Sequence, residues 1–328
     1  MVFVADIRDF EKLGTPIHVY MRTLYSIVSR GEGLEKNAEK IRVLLHMWDF
    51  FCNFALDFDK HLMKRFIFLS FVSAWMSMYC LPAFGWGQEG HRIIAKIAYD
   101  NLDKKAKKAV DQILGEGGIV YWSNWPDEIK SDTIYPQSIS DGWHYQDFAG
   151  NMSDSLVADA LIHYPAEGGN LYRALDSHVR AMENGKLKIE NCEHTLRFIV
   201  HLSGDRYCPM HMAHMDDKGG NAVKMKWFGR ETNLHSVWDT KLIESQGYSY
   251  TEYAEKLEHE YANKKKEIEK ATDTELLLMS YHVTEDIYRY QESWDGNTYH
   301  YIYRWRQPME WQLYVAGIRL AKLLNSIF

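Results

Sequence analysis

The sequence predicts an all-α protein, a single multi-helix domain, and three observations carry that expectation. Apolar residues recur at helical spacing in one segment after another. The segments between them are rich in turn-forming residues, and no two alternating stretches read as a strand pair. No internal repeat or low-complexity linker divides the helical part, and a chain with 46% hydrophobic and 14% aromatic residues can fill a core.

Taken in order, Ile93, Ile94, Ile97 and Ala98 mark the apolar face of a first helix. Leu102 to Leu114 follows, with Asp103 as its cap and Gly115 just past its end. Helical signals return over Leu171–Glu183, from Ile189 to about Arg206, and around Leu234–Glu244. Ser249-x-x-Glu252 is a capping box that opens a charged helix running to about Lys270. Proline suits a helix's first turn, so Pro308 is read as the start of the last helix, with Trp311, Val315, Ile318 and Leu323 near one face. Loops are expected at 116–142, 148–169 and 215–230.

Before the helical part lies a segment with the pattern of an export signal. Residues 63–85 combine Lys64-Arg65, an apolar run from Phe66 and a small-x-small Ala83-Phe84-Gly85 site. Such a signal works at an N-terminus, so Met63 is read as the true start and residues 1–62 as upstream translation. Residues 86–328 are then the mature domain, exported to a periplasm or to the outside with no stable membrane anchor. The rival is an anchor over Phe66–Phe84, nearly long enough to span a bilayer. A chain found to begin at Trp86 excludes it.

A formal charge of −7 offers no basic patch for a phosphate backbone, which by itself argues against nucleic acid. Bound metal ions would reverse that sign locally. Cys52, Cys80, Cys192 and Cys208 contain no C-x-x-C pair and are expected as free thiols.

The chemistry concentrates in His201–Asp239, which holds two His-x-x-x-Asp pairs, His201/Asp205 and His235/Asp239. Four residues is just over one helical turn, so each pair sets an imidazole beside a carboxylate on one face. One such pair is usually a simple hydrogen-bonding pair. Two of them, with His211 between, favour a metal site, and mixed imidazole and carboxylate donors suit zinc. Further donors stand beside turns: His91, Asp127 after Trp125-Pro126, and His144. If cleavage frees the amino group of Trp86, that nitrogen becomes another ligand.

Together, Trp86-Gly-x-x-Gly-His91, Trp125-Pro126-Asp127, His144-Tyr-x-Asp147, His201-x-x-Gly-Asp205, Pro209-x-His211 and Asn233-Leu-His235-x-x-Trp-Asp239 resemble the successive motifs of the zinc-dependent single-strand-specific nucleases with 3'-nucleotidase activity. The resemblance implies an all-α phospholipase C/nuclease fold with three Zn²⁺ in a cleft. It assigns Asp127, His144, His201 and Asp205 to one ion of a close pair. Trp86, His91 and the shared Asp205 hold the other, and His211, His235 and Asp239 hold the third.

The resemblance further implies cleavage of single-stranded DNA and RNA to 5'-phosphorylated products, and of 3'-nucleotides, by hydroxide at the close pair. Asp127 would orient the attacking water and take its proton, and Lys130 would neutralise the phosphorane. Tyr145 would stack on a base while Asp147 bonds its edge, which requires the base out of a duplex. His194 and His214 are read as supporting side chains. No protein partner is implied. The competing readings are a zinc phospholipase C of the same fold, an exported metal-binding protein without catalysis, and a helical structural protein that holds no zinc.

Overall fold

The computed structural model describes residues 86–129, 134–135, 140–163, 167–185 and 189–328, with only the backbone at 189–190. The expected upstream segment 1–62, the signal 63–85, Cys52, Cys80 and Lys130 lie outside the described residues. Helices dominate, as the periodicity predicts. The longer ones are α1 (Gln88–Asp100), α2 (Lys104–Leu114), α3 (Asp154–His163), α4 (Leu171–Glu183), α5 (Ile189–Asp205), α6 (Tyr250–Tyr261), α7 (Asp273–Gln291) and α8 (Thr298–Ile327).

Local chemistry sets most of these boundaries. Asp103 caps α2 by accepting from the backbone N–H groups of Lys105 and Ala106, each at 2.8 Å. Ser249/Glu252 forms the expected capping box on α6, and Thr272/Glu275 forms a second one on α7. The long α8 is the centre of the core and packs most extensively on α1. The two helices approach so closely that a Cβ at Gly317 would lie 2.6 Å from Ile97, so only glycine fits there. Buried Glu310 on α8 accepts from the Tyr253 hydroxyl at 2.9 Å and Lys256 at 3.0 Å, which offsets the cost of burying its charge.

Five expectations need correction. Pro308 does not start the last helix but lies inside α8. Asn297 caps that helix a full ten residues' worth of chain earlier, accepting from Tyr299 and His300 N–H groups, and burial of Tyr301 and Trp305 secures the preceding turns. The loop expected over 148–169 contains α3, and the loop over 116–142 contains the short helices Gly118–Tyr121 and Trp125–Glu128. The charged helix to Lys270 is broken by a 3₁₀ turn, Ala262–Lys264, before a short helix Lys265–Lys270. Finally, the loop over 215–230 runs into a two-stranded antiparallel hairpin, β1 (Lys224–Trp227) and β2 (Arg230–Asn233), where no strand pair was expected. Its Lys224–Trp227 segment alternates exposed and buried as a strand should.

Candidate metal centre

Six separate stretches of chain deliver the predicted donors to one buried region. The α1 helix carries His91, the short helix Trp125–Glu128 carries Asp127, and α5 carries His201 and Asp205 in its last turns. His144 follows the 3₁₀ turn Asp141–Trp143, and His211 closes the turn Pro209–His211. His235 and Asp239 straddle a short helix, Leu234–Ser236, and the π turn Val237–Lys241 that continues it. Backbone pairing ties the second group of segments together: Gln146 N–H donates to His211 C=O at 2.9 Å and Phe148 N–H to Ala213 C=O at 2.8 Å.

Trp86 is anchored between both His-x-x-x-Asp pairs. Its buried indole N–H donates to Gly204 C=O at 3.1 Å, beside Asp205, and the next N–H, of Gly87, donates to Asp239 C=O at 2.6 Å. Such anchoring brings the start of the helical part to the donors.

Around Asp205 the donor atoms lie at nearly uniform spacing. His144 Nδ1 is 3.0 Å from His201 Nε2 and 3.2 Å from Asp205 Oδ2, and His201 Nε2 is 3.1 Å from the same oxygen. Asp127 lies 3.6 Å from His144 and 3.8 Å from His201. His91 Nε2 is 3.2 Å from Asp205 Oδ1, its ring stacked on His201 at 3.9 Å. Asp205 also reaches the other group, with Oδ1 3.4 Å from His211 Nδ1. There, His235 Nε2 is 2.8 Å from Asp239 Oδ2, and His211 Nε2 is 3.8 Å from Asp239 Oδ1.

These contacts are close in distance but many are not hydrogen bonds in direction. His91 Nε2, His144 Nε2, Asp205 Oδ1, His211 Nδ1 and Asp239 Oδ2 are buried and make no hydrogen bond among the described residues. Ligands at about 2.1 Å on a tetrahedral ion are roughly 3.4 Å apart, close to the spacing around His144, His201, Asp205 and Asp127. Tautomers point the same way. His201 Nδ1 sits 2.8 Å from Ser123 C=O and His235 Nδ1 sits 2.6 Å from Gly219 C=O, so each Nδ1 donates its proton there. In a neutral ring, Nε2 is then a bare lone pair facing a carboxylate, an arrangement that needs a cation between the two. Of the four compact donor groups capable of holding an ion among the described residues, three belong to this centre, His91/Asp127/His201, His144/His201/Asp205 and Cys208/His211/Asp239, and the fourth is His214/Asp216/Asp217.

Electrostatics follow from the crowding. Burial works against charge on Asp205, yet His201, His211 and His91 hold its carboxyl well below the ordinary range. Burial likewise opposes protonation of His211, but Asp205 and Asp239 outweigh it and raise the imidazole to about 9. His91 goes the other way, lowered by burial and by the neighbouring His201.

The remaining predicted residues are placed as follows. Tyr145 is partly exposed beside the centre, whereas Asp147 is buried, with burial raising its carboxyl to about 7 against the pull of His235 and His211. His194 stacks on Trp125 at 4.8 Å, and His214 stacks on Tyr288 at 3.7 Å while facing Glu285 at 2.8 Å. Both support neighbouring chain, as expected. Cys208 was read from sequence only as a thiol, but it is buried at the centre and donates to Asp239 Oδ1 at 3.2 Å. Its place directly before Pro209-x-His211 was the available signal. No disulfide joins it to Cys192.

A family model described as S1/P1 Nuclease matches residues 86–328. The chain belongs to the S1/P1 nuclease family. It is 29% identical over 294 residues to Endonuclease 2 of Arabidopsis thaliana, an alignment covering 80% of this chain and 97% of that protein. Nuclease S1 of Aspergillus oryzae is 29% identical over 174 residues, covering 51% of this chain and 58% of its own length. Nuclease P1 of Penicillium citrinum is 29% identical over 161 residues, covering 47% and 57%. As a member of the S1/P1 nuclease family the chain is a hydrolase of nucleic acid, and its buried His/Asp groups are placed where such a nuclease can hold metal.

Proposed function

We propose that this S1/P1 nuclease is an exported, zinc-dependent enzyme that cleaves single-stranded DNA and RNA to 5'-phosphorylated products and also removes phosphate from 3'-nucleotides. One observation carries the reading. Three aspartates and five histidines from six stretches of chain converge, and buried atoms on five of these residues, His91 Nε2, His144 Nε2, Asp205 Oδ1, His211 Nδ1 and Asp239 Oδ2, make no hydrogen bond among the described residues.

Asp127, His144, His201 and Asp205 would hold one zinc ion, and His91, Asp205 and the freed terminus of Trp86 a second. His211, His235 and Asp239 would hold the third. All are nitrogen or oxygen donors, the mixture that zinc accepts. When bound, the ions would supply Lewis-acid polarisation of phosphoryl oxygens, a lowered pKa for water, and the positive charge that a chain of net charge −7 lacks.

The chain's own side chains do the rest. Asp127 is the predicted carboxylate that keeps some contact with solvent, 22% exposed against 0% for Asp205 and Asp239, so it can orient an incoming water and take its proton. The Tyr145 ring would stack on an unpaired base, and the Asp147 carboxyl would bond its edge. A base inside a duplex cannot reach either group, which accounts for a preference for single strands.

The test uses the chain beginning at Trp86 and the chain still carrying residue 85. Elemental analysis is expected to find three zinc ions in the first and fewer in the second. Turnover of single-stranded DNA, RNA and a 3'-nucleotide should vanish on chelation and return with zinc. Full turnover in metal-free protein, or a cut chain without zinc, would remove the proposal.

A further inference from the structure

Cys208 lies at the centre of the donor region, yet it belongs to none of the three zinc sites proposed above. A free cysteine in a core ordinarily behaves as a small apolar side chain with a weak S–H donor. This one is wholly buried and points at a carboxylate, its Sγ donating to Asp239 Oδ1 at 3.2 Å.

The main chain fixes where that thiol points. The Cys208 N–H donates to Asp205 C=O at 2.9 Å, and the Cys208 C=O accepts from His211 N–H at 3.0 Å. Pro209 follows and restricts Cys208 to extended backbone, φ −75° and ψ 121°. Behind the turn, the Thr284 hydroxyl on α7 donates to Pro209 C=O at 2.9 Å. With its backbone held on both sides, Cys208 has only χ1 left to set, and that torsion takes a few staggered values. The residue is thus tied by its main chain to Asp205 of the first His-x-x-x-Asp pair and by its side chain to Asp239 of the second.

Asp239 uses its two oxygens differently. Oδ1 takes the thiol and lies 3.8 Å from His211 Nε2, whereas Oδ2 lies 2.8 Å from His235 Nε2 and, though buried, makes no hydrogen bond among the described residues. The proton of a neutral His235 is on Nδ1, facing Gly219 C=O, so Nε2 and Oδ2 turn lone pairs toward each other. Rotation of a carboxylate about χ2 is soft and does not select one oxygen. The thiol bond selects it, because holding Oδ1 leaves Oδ2 free beside His235. A sulfur ligand is the rival, since Cys208, His211 and Asp239 form a compact donor group. With His235 added, the ion would then have four protein ligands, the closed arrangement of a structural zinc site. Hydrolysis needs an open position on the ion, and that favours Cys208 as a hydrogen-bond donor.

We propose that Cys208 is a positioning residue, whose S–H holds the Asp239 carboxylate so that Oδ2 is presented to the third ion. The inference rests on the metal-dependent nuclease reading above. Two variants of the chain beginning at Trp86 test it, Cys208→Ser, which keeps a hydroxyl donor, and Cys208→Val, which keeps bulk and removes the donor. Each is freed of metal, checked for a parent-like melting temperature and titrated with zinc against a competing chelator. The parent and Cys208→Ser are also loaded with cobalt for absorption spectra, in which a sulfur ligand gives a charge-transfer band.

Cys208→Val is expected to weaken one zinc ion about 10–100-fold, the usual cost of losing an orienting partner, and to leave the ions around Asp205 unchanged. Cys208→Ser should bind zinc as the parent does, and cobalt-loaded parent should show no sulfur-to-metal band. Parent-like zinc affinity in Cys208→Val would overturn the inference and leave the thiol as filling only. A band present in the parent and lost in Cys208→Ser would overturn it in favour of a sulfur ligand. If Cys208→Val does not fold, the serine titration and the cobalt spectrum still decide, because weakened zinc in Cys208→Ser would equally deny that a donor suffices. A parent that binds no zinc would instead mean that the metal reading itself has failed.

Discussion

The His201/Asp205 and His235/Asp239 pairs share one spacing but not one support. His201 and Asp205 end the 17-residue helix α5, both wholly buried, in a regular helical turn. The other pair crosses from a three-residue helix into a π turn, directly after a hairpin, with His235 slightly exposed at 6%. Asn233 stands in for the missing helix before it, its side chain accepting from Ser236 N–H at 2.7 Å. Each histidine has its Nδ1 held by a remote carbonyl, Ser123 for the first and Gly219 for the second. The pairing of imidazole and carboxylate therefore needs only one turn of chain. Its rigidity comes from what lies behind that turn, the packed core in one case and a glycine turn in the other. Single π turns of this kind recur at functional sites, where they re-aim a side chain.

The sharpest way to break the comparison is to remove each carboxylate. Asp205 lies within 3.4 Å of four imidazoles, those of His91, His144, His201 and His211. Among the described residues Asp239 faces two, His235 at 2.8 Å and His211 at 3.8 Å. Asp205→Ala should therefore lose more than one ion and reduce turnover by several orders of magnitude, while Asp239→Ala should lose a single ion. Elemental analysis beside kcat decides, and equal ion loss in the two variants would mean that the pairs are independent.

A smaller effect should come from the turn behind the second pair. Gly219 has φ +63°, and a Cβ there would meet Met210 C=O at 3.0 Å and both Asp147 carboxylate oxygens at 3.2 Å. Gly219→Ala is thus expected to shift the carbonyl that orients His235. Loss of such an orienting partner typically costs about 10–100-fold in metal affinity. Metal titration should find that loss at one site only, with the ions around Asp205 unaffected. Ser123→Ala is the matching control, because it keeps the carbonyl that holds His201 and removes only a hydroxyl bonded to Val120 C=O.

The uneven support also explains what could be read in advance. Helix α4 has the bounds Leu171–Glu183 that its periodicity predicts, and the predicted donors within the described residues converge, because spacing and residue type are local properties. Pro308 misled because proline favours a first turn, yet burial along α8 outweighs the roughly 3 kcal/mol an internal proline costs. The hairpin's strands are four residues each, too short for alternation to stand out, and its Phe228-Gly229 turn lacks the usual residues. Helix α7 was missed although Thr272 and Glu275 spell its capping box in the sequence. For Cys208 the sequence offers only its place directly before Pro209-x-His211, and its contact with Asp239 is not a local property, since it joins residues 31 positions apart.

The smallest expected effect concerns acid and the core behind the first pair. His178 on α4 stacks on Phe198 of α5 at 4.7 Å and meets Trp143 edge-on at 5.6 Å. Burial lowers its pKa to about 4. A histidine whose folded pKa lies below its unfolded value of about 6.5 stays neutral in the native protein but takes up a proton when the chain unfolds. The stability it contributes is therefore complete above about pH 6.5 and is lost as pH falls toward 4. Metal ligands also take up protons in this range, so the comparison belongs in metal-free protein, as the difference between parent and His178→Leu melting temperatures. On acidification from pH 6.5 to 4 that difference should move in favour of the variant, because it has no imidazole to protonate. Parallel melting curves would mean that His178 does not sense acid, and that the helix carrying His201 and Asp205 is no more acid-sensitive through this contact than the turn carrying His235 and Asp239.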